Sequence, residues 1–365
     1  MIIPTRELDR RRLNVKSRLD QNDLDALLIP LGIHFEYLFG KRGLPSERLL
    51  VGIIPKDSDP FIISPSFERS NVKRSTGFDD IAVWEETESP YKVAAKEFAD
   101  RGINGIIGVD PKLWILEVER LQEASGLTFK SSHPLLDFQR SIKSEWEITQ
   151  LQAAAKASTE GILAAIPELK QGITEKEFLK IVQHEMRQRS GSEEAFGLIQ
   201  FGSNSALPHG IPSDRKLQND QVALLDCGTP VNGYQGDITI TVPFGHPKDY
   251  KEIYEIVFEA NRMAFDAEKA GIKPSELDGI ARNHIESKGY GPYFTHRLGH
   301  GIGMEVHETP YIVGSNQIPM VAGNCNSIEP GIYIPGKFGV RIEDDVWCKA
   351  NSAERLFDTP RHNFD

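Results

Sequence analysis

Four carboxylates and one imidazole constrain this chain more than anything else in it: Asp226, Asp237, His300, Glu329 and Glu343. The aspartates occur in VALLDCGTPVNGYQGDITITVPF, the histidine in THRLGHGIG, and the glutamates in SIEPGIYIPG and GVRIEDDVW. Each setting is apolar or glycine-rich, so a lone charge there is expensive to bury. Two carboxylates side by side would also raise each other's pKa strongly. Four negative charges with one imidazole would suit two divalent cations sharing ligands. Oxygen-rich ligation of that kind favours Mn²⁺, with Co²⁺, Zn²⁺ or Fe²⁺ as alternatives.

At 365 residues the chain is long for one hydrophobic core and predicts two domains. A hydrophobic share of 39% with 26% charged residues is that of a water-soluble globular protein. The net charge of -11 argues against a nucleic-acid partner, which calls for clustered Lys and Arg. Cys227, Cys325 and Cys348 form no C-x-x-C and are odd in number, so reduced, buried thiols of a cytoplasmic protein are expected. MIIPTRELDRRR holds no apolar core of signal-peptide length, and no apolar run approaches the ~20 residues of a membrane helix.

Residues 6–20 read as an amphipathic helix. Short apolar runs at 25–30, 48–55, 60–64, 79–84 and 103–110, bounded by Gly, Pro and Asp, read as strands, with helical stretches near 90–100 and 113–125 between them. This alternation predicts an α/β layer structure. Gly102, Gly105 and Gly108 do not form a dinucleotide fingerprint, because their spacing is wrong and no helix opens behind them. The pattern changes at 140–170. Ser144 with Glu147, and Thr174 with Glu177, are capping boxes ahead of long helices. The domain boundary is therefore placed near 138–143, giving domains 1–138 and 139–365. Further strands are expected at 194–201, 221–226, 235–244, 326–334 and 338–348, and helices near 248–270 and 275–288.

Asp226 closes the run QVALLD and Asp237 opens DITITV, with a turn at Asn232-Gly233 between them. An antiparallel pair of these strands would bring both carboxylates to one end of a sheet, although aspartates at strand ends also cap turns. Alternation along GVRIEDDVW places Arg341, Glu343 and Asp345 on one face, so Arg341 is expected beside Glu343 as an orienting partner or as a surface pair. The glycines around His300 allow close backbone approach. They are no phosphate loop, since no Lys-Ser or Lys-Thr follows. His209 in SALPHG, His296 in THRLGH and His307 in EVHETP lie close to these motifs. Taken singly, each is better read as a surface or capping histidine.

The blocks NSALPHG, DCGTPVNGYQGD, HRLGHGIGMEVHETP, SIEPGIYIPG and VRIED, in this order, resemble the pita-bread metallopeptidases: prolidase (Xaa-Pro dipeptidase), aminopeptidase P and, more distantly, methionine aminopeptidase. The resemblance covers essentially the whole chain. It implies a creatinase-type N-terminal α/β domain followed by a pita-bread catalytic domain, α+β overall. It implies that Asp226 grips one metal, Asp237 and Glu343 bridge both, and His300 with Glu329 completes the second site. Glu329 would also accept the proton from the bridging water, leaving a bridging hydroxide as the nucleophile. His209 and His307 would contact the substrate carbonyl, His296 would line the pocket, and Arg341 would be a substrate or supporting contact. The implied reaction is hydrolysis of the peptide bond before proline, by a homodimer, most readily in Xaa-Pro dipeptides. The alternatives are an Xaa-Pro aminopeptidase acting on longer peptides and a creatinase-like hydrolase of non-peptide C–N bonds. A non-catalytic relative would be expected to have lost ligands.

The match departs from the family in DITITV, where Ile240 stands in place of a usual Arg, at Gly236 in place of Ser, and at Met304 in place of Leu. None is an implied ligand, so the departures bear on substrate preference. A dipeptidase also needs a cation for the substrate's free carboxylate, and the sequence does not single one out.

Overall fold

The apolar runs of the first third of the chain become strands because each is short, bounded by turn residues and rich in branched side chains. In the computed structural model, which describes residues 3–361, they are β1 (Ala26–Pro30), β2 (Val51–Pro55), β3 (Phe61–Pro65), β4 (Ile81–Trp84) and β5 (Ile106–Val109), joined by the edge strand β6 (Thr128–Ser131). The sheet order is β4-β3-β2-β1-β5-β6. It is mixed: β1 runs antiparallel to β2 and parallel to β5. Helices α1 (Thr5–Gln21), α2 (Ile33–Phe39), α3 (Arg69–Thr76), α4 (Pro90–Asp100) and α5 (Ile115–Ser125) accompany it.

Two of these elements carried no periodic signal. In α2 six of the seven residues of IHFEYLF are buried, so both faces look apolar and no 3.6-residue stripe appears. β6 is almost fully solvated and lacks an apolar run.

Helix α6 (Leu135–Ser141) spans the division between two compact units, Met1–Gln139 and Arg140–Asp365. In the second unit both capping boxes form. Glu147 N donates to Ser144 Oγ at 3.3 Å and Ser144 N to Glu147 Oε2 at 3.0 Å. Glu177 N donates to Thr174 Oγ1 at 3.1 Å and Thr174 N to Glu177 Oε2 at 2.9 Å. They open α7 (Glu145–Ala165) and α8 (Glu175–Ser190).

These helices cover one face of the antiparallel sheet β7-β8-β9 (Phe196–Phe201, Gln221–Gly228, Ile238–Phe244). Ile162, Phe178, Val182 and Met186 pack there against Ile199, Leu225, Ile238 and Ile240. The opposite face carries Leu198, Asp226 and Thr239, which are partners across the ladder.

A second sheet, ordered β11-β10-β12-β15-β16, comprises Glu308–Ile312, Gly299–Gly301, Cys325–Ile328, Asp344–Cys348 and Ala353–Arg355, and the hairpin β13-β14 comprises Gly331–Tyr333 and Gly339–Arg341. α9 (Tyr250–Ala267) and α10 (Pro274–Ser287) share its core through Val257, Ala260, Leu277 and Ala281.

The single strands expected at 326–334 and 338–348 are each broken. Pro330 has no N–H to continue a ladder, and Glu343 N leaves its own sheet to donate to Thr239 O at 3.2 Å. The breaks fall at Glu329 and Glu343, so the chain changes pairing partner where two of the candidate ligands sit. Strand β8 also runs two residues past Asp226, so that aspartate lies within a strand rather than at its end.

All three cysteines are free and buried. Among the described residues, no helix is long and apolar enough to cross a membrane.

Candidate metal centre

Local backbone chemistry sets each of the five side chains. Asp226 faces its neighbours Leu198 and Thr239 on the open side of the first sheet. The chain reaches Asp237 through a tight turn in which Asn232 (φ 47°) and Gly233 (φ 77°) adopt positive φ, closed by reciprocal hydrogen bonds between Val231 and Tyr234. Gly236 lets this segment press onto α7, since a Cβ there would lie 2.6 Å from Ala154 O. His300 is in β10, where the ladder shifts register between His300 and Gly301. A Cβ at Gly299 would lie 2.0 Å from Ser327 O, so only glycine permits this approach.

The structure brings Asp226, Asp237, His300, Glu329 and Glu343 to one cavity of about 680 Å³ in the second unit, together with His209, His296, His307 and Arg341. Three overlapping groups have ligand atoms within 4.8 Å of one another: Asp226–Asp237–Glu343, His300–Glu329–Glu343 and Asp237–His300–His307. Among the described residues, the groups tight enough to hold a metal ion all line this cavity. A smaller cavity of about 290 Å³ in the first unit is lined by Leu44, Phe67 and Trp114.

Hydrogen bonds hold the five in place. Ser327 Oγ accepts from His300 N at 3.1 Å and donates to Glu329 Oε1 at 3.1 Å. Thr239 Oγ1 donates to Glu343 Oε2 at 2.6 Å and accepts from Arg341 Nε at 3.1 Å. Asp345 Oδ2 accepts from Asp237 N at 3.0 Å.

Arg341 is near Glu343, as strand alternation suggested, but supports it through Thr239 and by its charge rather than by a direct hydrogen bond. The break at Ile342–Glu343 interrupts the alternation, and the guanidinium instead donates to Asp226 Oδ2 at 2.5 Å, to Tyr333 Oη at 2.7 Å and to Pro208 O at 3.3 Å. Ile240 is turned away from the cavity. It pairs with Leu225 and packs in the helix-facing core, so the departure from the family pattern at this position does not reach the pocket.

The electrostatics are those of a site lacking positive charge. Burial, then Asp226, Asp345 and Glu329, push the Asp237 carboxyl well above its ordinary range. Burial, then Asp237, Glu329 and Asp226, do the same to Glu343. Glu329 goes the other way: burial opposes its charge, but the hydrogen bond and proximity of His300 and the charges of His296 and Arg341 hold it down to about 2. Burial lowers His296 to about 4 and, with His300 and Arg297 nearby, His307 to about 4 as well.

Two observations show that the residues fit divalent cations. Asp237 Oδ1 is buried with no hydrogen-bond partner among the described residues, which is costly for a carboxylate unless an ion satisfies it. His300 Nε2 lies 3.2 Å from Glu329 Oε1 and 3.8 Å from Asp237 Oδ2, so a cation among them would replace the proton that otherwise bridges the imidazole and Glu329.

His209 and His307 are exposed at the cavity. His296 is tied down: its Nδ1 donates to Arg297 O at 2.7 Å, so its Nε2 accepts from Tyr333 Oη at 2.8 Å. Sequence reasoning passed over several cavity and supporting residues. Phe196, Leu198 and Val306 form an apolar wall, and Arg297 adds a cation. Thr239, Ser327 and Asp345 hold the carboxylates. The signal for Asp345 was present in its shared face with Glu343; the others depend on which strands become neighbours.

Comparison with known proteins follows the same division of the chain. Residues 149–350 match metallopeptidase family M24, and residues 11–142 match the creatinase/prolidase N-terminal domain. An uncharacterized peptidase of Staphylococcus aureus is 36% identical over 331 residues, covering 90% of this chain and 93% of that protein. Among solved structures, the dipeptidase PepE from Mycobacterium ulcerans superposes with a TM-score of 0.92 at 32% identity, covering 99% of this chain and 98% of that one. An Xaa-Pro dipeptidase from Bacillus anthracis gives 0.89 at 28% identity, covering 97% and 99%.

Proposed function

The chain belongs to metallopeptidase family M24, a creatinase-type domain preceding a pita-bread catalytic domain, and from that premise we propose that it is a dinuclear Xaa-Pro dipeptidase. The observation that carries the reading is the convergence of four carboxylates and the His300 Nε2 atom on one cavity. Glu343 belongs to both the Asp226 group and the Glu329 group, and Asp237 groups with Asp226 on one side and His300 on the other. In this reading these two carboxylates would be shared, Asp226 would hold one cation, and His300 with Glu329 would hold the other. The donor set, rich in oxygen with one imidazole, favours Mn²⁺. Divalent cations in such a site supply Lewis-acid polarisation of a carbonyl and make water more acidic.

The remaining chemistry belongs to the chain. Glu329 lines the cavity and is ionised there, and it would take up a proton during the reaction. His307, neutral at physiological pH, and His209 reach the cavity and would donate hydrogen bonds to the carbonyl oxygen as negative charge develops on it. Phe196, Leu198 and Val306 offer the apolar surface that a pyrrolidine ring would bury. The bond before proline is a tertiary amide without an N–H, so a leaving side bounded by apolar groups suits it. The dipeptidase names of the structural neighbours support the same substrate class.

The test is direct. Manganese-loaded protein should release proline from Ala-Pro and Leu-Pro, and lose that activity on chelation. Turnover of Ala-Pro-Ala equal to that of Ala-Pro would replace the dipeptidase reading with an Xaa-Pro aminopeptidase. No cleavage of either peptide with Mn²⁺, Co²⁺, Zn²⁺ or Fe²⁺ would overturn the Xaa-Pro reading itself.

A further inference from the structure

Strands β12 and β15 stop pairing at Ile328 and Asp344, and pairing resumes in the β13-β14 hairpin at Gly331 and Arg341. Glu329 and Glu343 lie in the gap between. Their backbone N–H groups are taken up elsewhere: Glu329 N donates to Leu298 O at 2.8 Å and Glu343 N to Thr239 O at 3.2 Å. The carbonyls of the same two peptide groups belong to Ile328 and Ile342, and one side chain serves both. Asn261 Nδ2, from α9, donates to Ile328 O at 2.9 Å and to Ile342 O at 3.5 Å. An amide nitrogen carries two hydrogens, so it can supply two acceptors.

Asn261 is fully buried on a helix whose Val257 and Ala260 pack in one core with Ile328 and Ile342. Its Oδ1 has no hydrogen-bond partner among the described residues. A buried acceptor left unpaired is unfavourable, and leucine would fill a similar volume without one. Packing therefore does not account for an amide at this position, whereas the two carbonyls at the strand break do.

We propose that Asn261 is a positioning residue of the metal centre. By holding Ile328 O and Ile342 O on one nitrogen, it fixes the peptide planes from which Glu329 and Glu343 project, and with them the spacing of the two carboxylates. The inference rests on the metal-centre reading above and adds to it a residue outside the cavity lining. A peptide group is rigid, so a carbonyl released from Asn261 turns the N–H behind it and moves the glutamate side chain that follows. Glu343 belongs to two of the candidate ligand groups and Glu329 to one of those two, so a shift between them would be felt at both cation positions. Outer groups that orient metal ligands contribute about 10–100-fold to metal affinity.

The test is calorimetric manganese titration of wild type, N261L, N261S and V257A, with urea unfolding of each in EDTA. V257A opens a cavity in the same core and leaves both carbonyls bonded, so it reports what lost stability alone does to the site. N261L should bind manganese about 10–100-fold more weakly than wild type, while V257A should bind as wild type does. In the metal-free proteins, deuterium exchange at the Glu329 and Glu343 amides should be about tenfold faster in N261L than in V257A, the scale of one lost hydrogen bond. If N261L does not fold, N261S carries the same comparison, because its hydroxyl is too short to reach both carbonyls. Unchanged manganese affinity in the Asn261 variants, or an equal loss in V257A, would overturn the role of Asn261. If wild type binds no manganese, the metal reading fails separately. The exchange rates then decide alone: faster exchange confined to the Asn261 variants supports the positioning of the two glutamates, and equal rates overturn it.

Discussion

Arg341 Nη2 donates to Asp226 Oδ2 at 2.5 Å, and Arg341 itself is only 2% exposed. The two are 115 residues apart in the chain and join the β13-β14 hairpin to β8, the middle strand of the β7-β8-β9 sheet. One arginine therefore neutralises the carboxylate that closes one end of the candidate metal site. Through Thr239 it also steadies Glu343.

Removing that arginine should cost both stability and metal. Breaking a buried ion pair typically costs about 3–5 kcal/mol, and losing a supporting partner of a ligand costs about 10–100-fold in metal affinity. Arg341→Met is expected to show both effects, in urea unfolding and in manganese titration. A variant that binds manganese as tightly as wild type would show that the pair has no bearing on the metal site.

Stability of the chelated protein should fall as pH rises. Asp237 and Glu343 have folded-state pKa values raised well above the unfolded ones, so the folded state binds more protons than the unfolded state. Stability is then greatest below about pH 4, near the unfolded carboxylate value, as far as these two groups are concerned. It declines as pH climbs through the range between unfolded and folded pKa values. Glu329, lowered to about 2, acts oppositely and loses its contribution only as pH falls through that value. Melting temperatures in EDTA between pH 5 and 8 should drop, Asp237→Asn should flatten the slope, and added Mn²⁺ should reverse it. A flat profile for chelated wild type would contradict the crowding of carboxylates.

His209 is exposed at the cavity and, among the described residues, belongs to none of the candidate metal groups. Its replacement by alanine should lower kcat on Ala-Pro by about 100-fold, the scale of losing one donor to a developing oxyanion, with manganese content preserved. Loss of metal in His209→Ala would assign this side chain to ligation instead.

Ile240 faces the helices. Ile240→Val should cost about 1 kcal/mol, the usual penalty for one buried methyl group, and leave the Ala-Pro to Ala-Pro-Ala rate ratio as in wild type. A shifted ratio in steady-state assays would return position 240 to the substrate pocket.

Much of this molecule was legible because it rests on local chemistry. The strands of the first unit are short apolar runs between turn residues. The two capping boxes are four-residue motifs that form as written, and the Asn232-Gly233 turn is specified by its own dihedral needs. The breaks at Glu329–Pro330 and Ile342–Glu343 were harder to see. Pro330 gave a hint of the first, but the second exists only because Glu343 N finds Thr239 O in another sheet. α2 was hidden by burial on both faces, and β6 by exposure.

The candidate site divides along the same line. Sequence alone identified Asp226, Asp237, His300, Glu329 and Glu343, because a charged or ligating side chain inside an apolar or glycine-rich segment is conspicuous without knowing its neighbours. Tertiary structure decided that Arg341 bonds Asp226 directly and Glu343 only through Thr239, that Ile240 belongs to the core, and that the Arg297 guanidinium lies over the Tyr311 ring. Those outcomes are set by which strands pair and where a ladder shifts register. Side-chain alternation predicts faces only within an unbroken strand, and two of the candidate ligands, Glu329 and Glu343, sit where the strands are broken.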